Sequence, residues 1–332
     1  MARGKRKMDF CAGQRKVLAK ENEGCGMLKR VVFILKKENA RAEMGQLLED
    51  IARHGVEADW RSVCGGNVSG KEPGKTEISA REAGQTQNGQ DVEIAKPPAT
   101  LYVTDMADCQ SALQKRKLPV VLYFHEGNRD EKFSLVGYAI EKIEEVEYES
   151  LELAYLRLIG QPWTILETDR CVIRETTVND VDSFYEIYKE PAITEYMEDL
   201  YADRGEEIAY IQDYIRNVYG FYGYGMWTVL EKAGGQVIGR AGVSWREGYD
   251  VPELGFLIAV PYQRQGYAYE VCRAILAYAG EELGFARLQA VIMEGNEKSK
   301  ALCEKLGFSY EDKLEIGGVR YERMLLSAHS GG

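Results

Sequence analysis

The hexapeptide Gln263-Arg264-Gln265-Gly266-Tyr267-Ala268 constrains this chain more than any other segment, because of what stands on either side of it. Before it runs Glu253-Leu254-Gly255-Phe256-Leu257-Ile258-Ala259-Val260, an apolar stretch that reads as a strand. After it, Val271, Ile275, Leu276 and Ala279 recur at helical spacing, so a helix is expected to start near Tyr267. A turn without side-chain bulk between a strand and a helix leaves several N–H groups unpaired and facing outward, and the positive end of the helix dipole adds to them. That combination suits a pyrophosphate. Gly266 lets a phosphate come close to the main chain, and Ala268 keeps a second approach open.

The pattern Gln-x-x-Gly-x-Ala after a strand resembles the acyl-CoA loop of the Gcn5-related N-acetyltransferases, and other segments agree with it in order. Cys171-Val172-Ile173-Arg174-Glu175-Thr176 followed by Asp180 resembles the family's first strand and first helix. Gly239-Arg240-Ala241-Gly242-Val243 resembles the strand before the catalytic strand, and Glu253-Leu254-Gly255-Phe256 the catalytic strand itself. Asn296-Glu297-Lys298-Ser299 and Lys305-Leu306-Gly307-Phe308 resemble the last shared block. From about Trp163 to Ser327 the chain is similar to the subgroup that includes the ribosomal-protein N-terminal acetyltransferases. The resemblance implies a mixed, mostly antiparallel sheet with flanking helices over 161–328, with acetyl-CoA as cosubstrate and no metal. It also implies two central strands that splay apart where the cofactor enters.

Acetyl transfer to an amine needs a held and polarised thioester, a base for the amine's proton, and help for the leaving thiolate. The amides of Gln265 to Ala268 are expected to hold the pyrophosphate, with Gln263, Arg264, Gly266 and Tyr267 completing the loop. Backbone groups of Leu257, Ile258 and Ala259 are expected to pair with the pantetheine arm as with an added strand, and N–H groups near Leu257 to face the developing oxyanion. The resemblance implies Glu253 as the base, acting directly or through water; set among Trp245 and Tyr249 its carboxylate would be improved as a base by reduced solvation, and its other reading is a solvated acid that begins a strand after Pro252. In many members of the family a tyrosine stands four residues before the glycine of the Gly-Phe pair, where this chain has Cys303. Cys303 reads as a small buried residue; the resemblance implies Ser299 of the Asn-x-x-Ser pattern as the acid instead, matching a serine of that subgroup, with helix capping as its other reading. Asn296 is expected to contact the pantetheine or a bound water. Glu195, Glu198 and Tyr222 are the candidate acceptor contacts, acids and an aromatic face suiting an ammonium, although most of the aromatic residues around them read as core.

The first half is an α/β region of another kind. Val31 to Leu35, Thr100 to Asp105, Pro119 to Phe124 and Leu135 to Ile140 read as strands, with helices at Met44–Ile51, Met106–Lys117 and Glu145–Ile159 between and after them. That alternation predicts a small parallel sheet, Rossmann-like, with its natural cleft near Asp105 and His125. The strand–Asp–helix–strand piece around Asp105 faintly resembles a haloacid-dehalogenase-like domain. It is a degenerate one, since the first strand runs into Leu35-Lys36-Lys37 without the Asp-x-Asp that the family's chemistry requires. The expected organisation is a basic disordered tail over 1–26, this domain over 27–160 with a flexible loop at 65–98, and the transferase over 161–328. Gly65 to Glu72 nearly spells a P-loop, but Glu72 replaces the hydroxyl and Pro73 follows.

A net charge of −11 disfavours nucleic-acid binding. No apolar run approaches the ~18 residues that span a bilayer, and seven cysteines without a C-x-x-C spacing suit a reducing, cytoplasmic setting. The expected partner is an amine-bearing small molecule or protein, and a homodimer is left open. The alternative function is a non-catalytic CoA-sensing or interaction module on the same fold.

Overall fold

The computed structural model describes residues 28–36, 40–62, 99–134 and 137–327. The expected tail at 1–26, the loop at 65–98 and the P-loop-like run Gly65–Glu72 lie outside these residues. The described chain divides into two compact units, with the change between Gln161 and Pro162.

The first unit is built on five parallel strands, β1 Arg30–Leu35, β2 Glu57–Ser62, β3 Thr100–Thr104, β4 Val120–Tyr123 and β5 Ala139–Ile140, in the order β2-β1-β3-β4-β5. The Val31–Leu35 run of β1 is buried throughout, as a parallel strand between helical layers requires. Helix α1, Gly45–Arg53, turns Leu47 and Ile51 inward and stops before Gly55, whose φ of +68° an L side chain would resist. Helices α2, Ala107–Lys115, and α3, Tyr148–Leu158, follow β3 and β5. Leu47, Ile51, Phe33, Val103, Val121 and Leu151 share one core. One difference from expectation has a local cause. The strand β2 alternates polar residues because it is an edge strand, paired on one side only. Of the strand expected over Leu135–Ile140, Leu135 and Val136 lie outside the described residues, and β5 takes in Ala139–Ile140.

Strand order reverses between β1 and β3, and beyond the carboxyl ends of such strands lies the usual crevice of an open α/β sheet. There His125 Nε2 lies 3.2 Å from Asp105 Oδ2, and Asp105 Oδ1 accepts the Lys36 N–H at 2.8 Å. The Gly127 N–H donates to His125 Nδ1 at 3.1 Å, so Nε2 is the nitrogen that carries the proton toward Asp105. A cleft of about 950 Å3 opens beside His125, with Glu43, Arg129, Glu141 and Lys142 on its walls.

The second unit is an eight-stranded sheet in the order β12-β13-β11-β10-β9-β8-β7-β6. Its strands are β6 Thr164–Glu167, β7 Cys171–Arg174, β8 Met226–Glu231, β9 Val237–Ser244, β10 Glu253–Ile258, β11 Arg287–Met293, β12 Ser309–Ile316 and β13 Val319–Ser327. Every pairing is antiparallel except β10 with β11. Helices α4, Val181–Tyr188, and α5, Arg204–Tyr214, pack on one face, where Leu257 meets Ile187 and Tyr188. Helix α6, Tyr267–Glu281, covers the other face, with Tyr278 edge-on to Trp227. Helix α7, Glu297–Lys305, follows β11. No helix among the described residues is long and apolar enough to cross a membrane.

Candidate active site

The opening in the sheet comes from one broken pairing. β10 and β11 run parallel but share a single register pair, Glu253 with Gln289, and separate beyond it. Meanwhile β10 stays zipped to β9 from Glu253–Ser244 to Ile258–Gly239. The Ala259 N–H donates to Ile238 O at 2.8 Å. By the two-residue alternation of a strand, Leu257 therefore also turns its N–H toward β9, and Phe256 and Ile258 turn theirs into the opening. The N–H groups available beside Leu257 are thus those of its neighbours.

At the far end of β10 the chain makes the expected turn. Gly266 has φ +86° and caps α6, and Arg264 also takes a positive φ, +64°. Successive residues of opposite φ sign curl the main chain so that its N–H groups converge, an anion-binding concavity. Among the described residues, none of the N–H groups from Arg264 to Ala268 has a backbone partner. Side chains brace the turn from behind. Gln263 Nε2 donates to Ile258 O at 2.9 Å, and Gln265 Nε2 to Pro261 O at 2.7 Å. Arg170 donates to Gln265 O at 3.0 Å and to both carboxylate oxygens of Glu270, and its guanidinium lies 4.1 Å over the Tyr267 ring. The bond to Glu270 raises Arg170 above the ordinary arginine value. Arg170 is the brace that the sequence does not announce.

A cleft of about 710 Å3 runs along β10 between the two ends. It brings together Glu253, Leu257, Asn296, Ser299 and Glu198. Glu195 and Tyr222 are not among its lining residues; Tyr222 is half exposed and belongs to a surface series of rings with Phe221 and Tyr224. Glu253 is held by Arg246, whose Nη2 donates to Oε1 at 2.8 Å while Nε bonds Oε2. This two-point pair fixes the plane of the carboxylate, and it holds Arg246 above its ordinary value. Asn296 is the cap of α7, its Oδ1 accepting the Ser299 N–H at 3.2 Å, so Ser299 receives the cap and does not supply it. Cys303 is fully buried, and burial pushes its thiol up to about 12, which suits a packing role.

The wall opposite β10 is made of tyrosines and acids. Tyr188, Tyr210 and Tyr214 line it, and burial holds all three hydroxyls above the ordinary tyrosine value, so they stand as neutral groups. Glu207 is 1% exposed; its Oε2 accepts the Tyr201 N–H at 3.1 Å, and its Oε1 has no partner among the described residues. No group of residues suited to a metal ion occurs among the described residues.

The model of the GNAT acetyltransferase domain matches residues 170–309. Over 156 residues the chain is 32% identical to the uncharacterized protein YkkB of Bacillus subtilis, spanning 46% of this chain and 88% of that relative. The chain belongs to the GNAT acetyltransferase family. It is an enzyme of that class, and the family's reaction implies acetyl-CoA as the acetyl donor and an amine-bearing acceptor. It is also 28% identical over 153 residues to the uncharacterized N-acetyltransferase YoaA of the same organism, spanning 45% of this chain and 85% of YoaA. Among solved structures, an acetyltransferase from Agrobacterium tumefaciens aligns with 49% of this chain and 94% of its own, at 21% identity and a TM-score of 0.42. The matched family does not favour the non-catalytic reading. The first unit lies outside the matched residues, and its likeness to haloacid dehalogenases gains no support.

Proposed function

We propose that the second unit transfers acetyl from acetyl-CoA to a primary amine, of a small molecule or a protein, by direct attack within the β10–β11 opening. The observation that carries this reading is the single Glu253–Gln289 register pair, because the strands part there and leave unpaired N–H groups next to a carboxylate. Acetyl-CoA supplies an activated acyl group. The turn from Gln263 to Ala268 holds its diphosphate through converging amides, and Arg170 keeps that turn in shape. Phe256 and Ile258 direct their N–H groups into the opening, where the arm and the acyl oxygen would meet them. Glu253 takes the amine's proton, directly or through water, with Arg246 fixing its orientation. Ser299 assists departure of the thiolate, and Glu198 contributes to the negative lining that draws an ammonium in. Glu195 and Tyr222 remain candidates only for an acceptor that extends beyond the cleft.

Calorimetric titration with acetyl-CoA, followed by an amine screen read by mass spectrometry, tests the reading. Micromolar binding at one site per chain with acetylated product is expected. Absence of binding at millimolar acetyl-CoA would refute it.

A further inference from the structure

One row of residues crosses the sheet up to the strand that borders the opening in which the proposed reading places the acyl group. Met226 of β8 pairs with Gly242 of β9, and Gly242 pairs with Gly255 of β10. Residues directly opposite one another share a face, so the Met226 side chain has two bare positions beside it and lies across them. A methyl placed on Gly255 would stand 2.8 Å from Met226 Sδ and 3.3 Å from its Cε. By alternation along β10, Glu253 and Leu257 flank Gly255 on this same face, while Leu254, Phe256 and Ile258 fill the other. Gly255 is therefore the one position of β10 without a side chain of its own, covered by the methionine thioether and flanked by a carboxylate on one side and a leucine on the other.

The position of Met226 is fixed from behind. Its N–H donates to Tyr214 Oη at 2.7 Å, and its carbonyl accepts from Tyr219 Oη. Tyr219 is fully buried and also accepts the Thr176 N–H at 3.1 Å. Residues five apart are poorly aligned on an α-helix, but Ile215–Tyr219 is a π-helix, whose wider turn brings Tyr214 and Tyr219 to the same side. Gly225 makes room for this clamp, since a methyl there would come within 2.6 Å of Tyr214 Oη. A π-turn, two tyrosines and three glycines thus converge on the placement of one methionine at the reaction end of the cleft.

The geometry points to Met226 as the residue that sets acyl-chain length, closing the space over Gly255 so that a two-carbon acyl group fits and longer ones do not. This rests on the acetyl-transfer reading above. Excluding one methylene from an apolar pocket is worth roughly ten- to two-hundredfold in selectivity. The Met226→Ala protein is expected to raise the ratio of kcat/KM for butyryl-CoA over acetyl-CoA by about tenfold or more. Amine KM and the affinity for CoA without an acyl group should stay within about twofold. Gly255→Ala is the opposite perturbation: it should weaken acetyl-CoA binding in calorimetry while leaving CoA binding unchanged. An unchanged acyl ratio in Met226→Ala, a change confined to amine KM, or equal losses of CoA and acetyl-CoA binding in Gly255→Ala each overturn the assignment. Because CoA binding is read separately, a wild-type protein that binds no CoA refutes the transferase reading and this inference with it. A wild-type protein that binds CoA but shows no acyl preference refutes the inference alone. Should Met226→Ala fail to fold, Met226→Val carries the same comparison.

Discussion

Replacing Gly266 by alanine separates two reasons a glycine can stand at the head of α6. The backbone there has φ +86°, and an alanine held in the left-handed region costs about 1–2 kcal/mol. For a unit of this size that lowers the melting temperature by roughly 2–8 °C. Space alone is not the obstacle, because the nearest atom to the added methyl is Arg170 Nη2 at 3.4 Å, an ordinary contact. If the turn binds a diphosphate, the methyl also stands where the anion approaches the main chain, and losing one charged hydrogen bond there costs about 1.5–3 kcal/mol. Acetyl-CoA should then bind roughly ten- to a hundredfold more weakly. Gly280→Ala is the matched control. It lies near the end of the same helix with open space around its Cβ position, so alanine should raise the melting temperature by roughly 1–4 °C with no effect on binding. Calorimetric titration and thermal unfolding of both proteins decide the matter. A Gly266→Ala protein that melts earlier yet binds acetyl-CoA as tightly as wild type would show that the glycine serves the turn alone and that the phosphates are held elsewhere.

Two further outcomes follow from the same geometry. Glu253→Gln keeps the shape of the side chain and removes its basicity, so kcat should fall by about 10²–10⁴-fold with acetyl-CoA affinity unchanged; equal losses in both would remove Glu253 from the role of base. Burial alone would raise the Asp180 carboxyl, but bonds from Arg174, the Thr177 N–H and Thr228 outweigh it and hold the group below the usual carboxylate range. A depressed folded value contributes stability that is present above the unfolded value near 3.9 and is lost as pH falls through the folded one. Asp180→Asn should therefore flatten the acid limb of the second unit's stability curve. At neutral pH it should cost about 3–5 kcal/mol by leaving Arg174 uncompensated, and a mutant with the wild-type acid limb would contradict this.

What was legible in the sequence was whatever local pattern alone decides. The 253–281 segment announced strand, turn and helix because an apolar run, a glycine and a 3.6-residue period stand in immediate succession. β1, β3 and β4 were legible as continuous apolar runs, which is how strands buried on both faces read. β2 was not, because an edge strand paired on one side can keep Glu57 and Asp59, and nothing local separates such a stretch from a loop. The site was legible by segments and illegible by pairings. Glu253 could be named, but its partner Arg246 lies across the β9–β10 connection, and only the strand register brings the two together. Arg170 and Glu270 are farther apart still and meet only because β7 and α6 pack nearby. Ser299 and Asn296 exchanged capping roles because the helix began one residue after the asparagine.

The glycines of β9 and β10 show why register matters more here than propensity. Glycine in a strand costs about 0.5–1 kcal/mol relative to alanine, yet Gly239, Gly242 and Gly255 all lie in the two strands that form the cleft's edge. The cost has a geometric reason at each position. A methyl on Gly239 would fall 2.1 Å from Leu257 O, and one on Gly242 would fall 2.0 Å from Gly225 O. Both of those neighbours are main chain, which cannot swing aside as a side chain does. The contact at Gly255 is of another kind, since its neighbour is the end of a flexible methionine. Gly239 therefore brings β9 and β10 backbone against backbone while β10 leaves β11, and Gly242 does the same for β9 and the residue that leads into β8. The third leaves a place that a movable methionine fills. A substitution at Gly239 acts on how β10 is held at the opening, whereas those at Gly255 and Met226 act on what the opening admits.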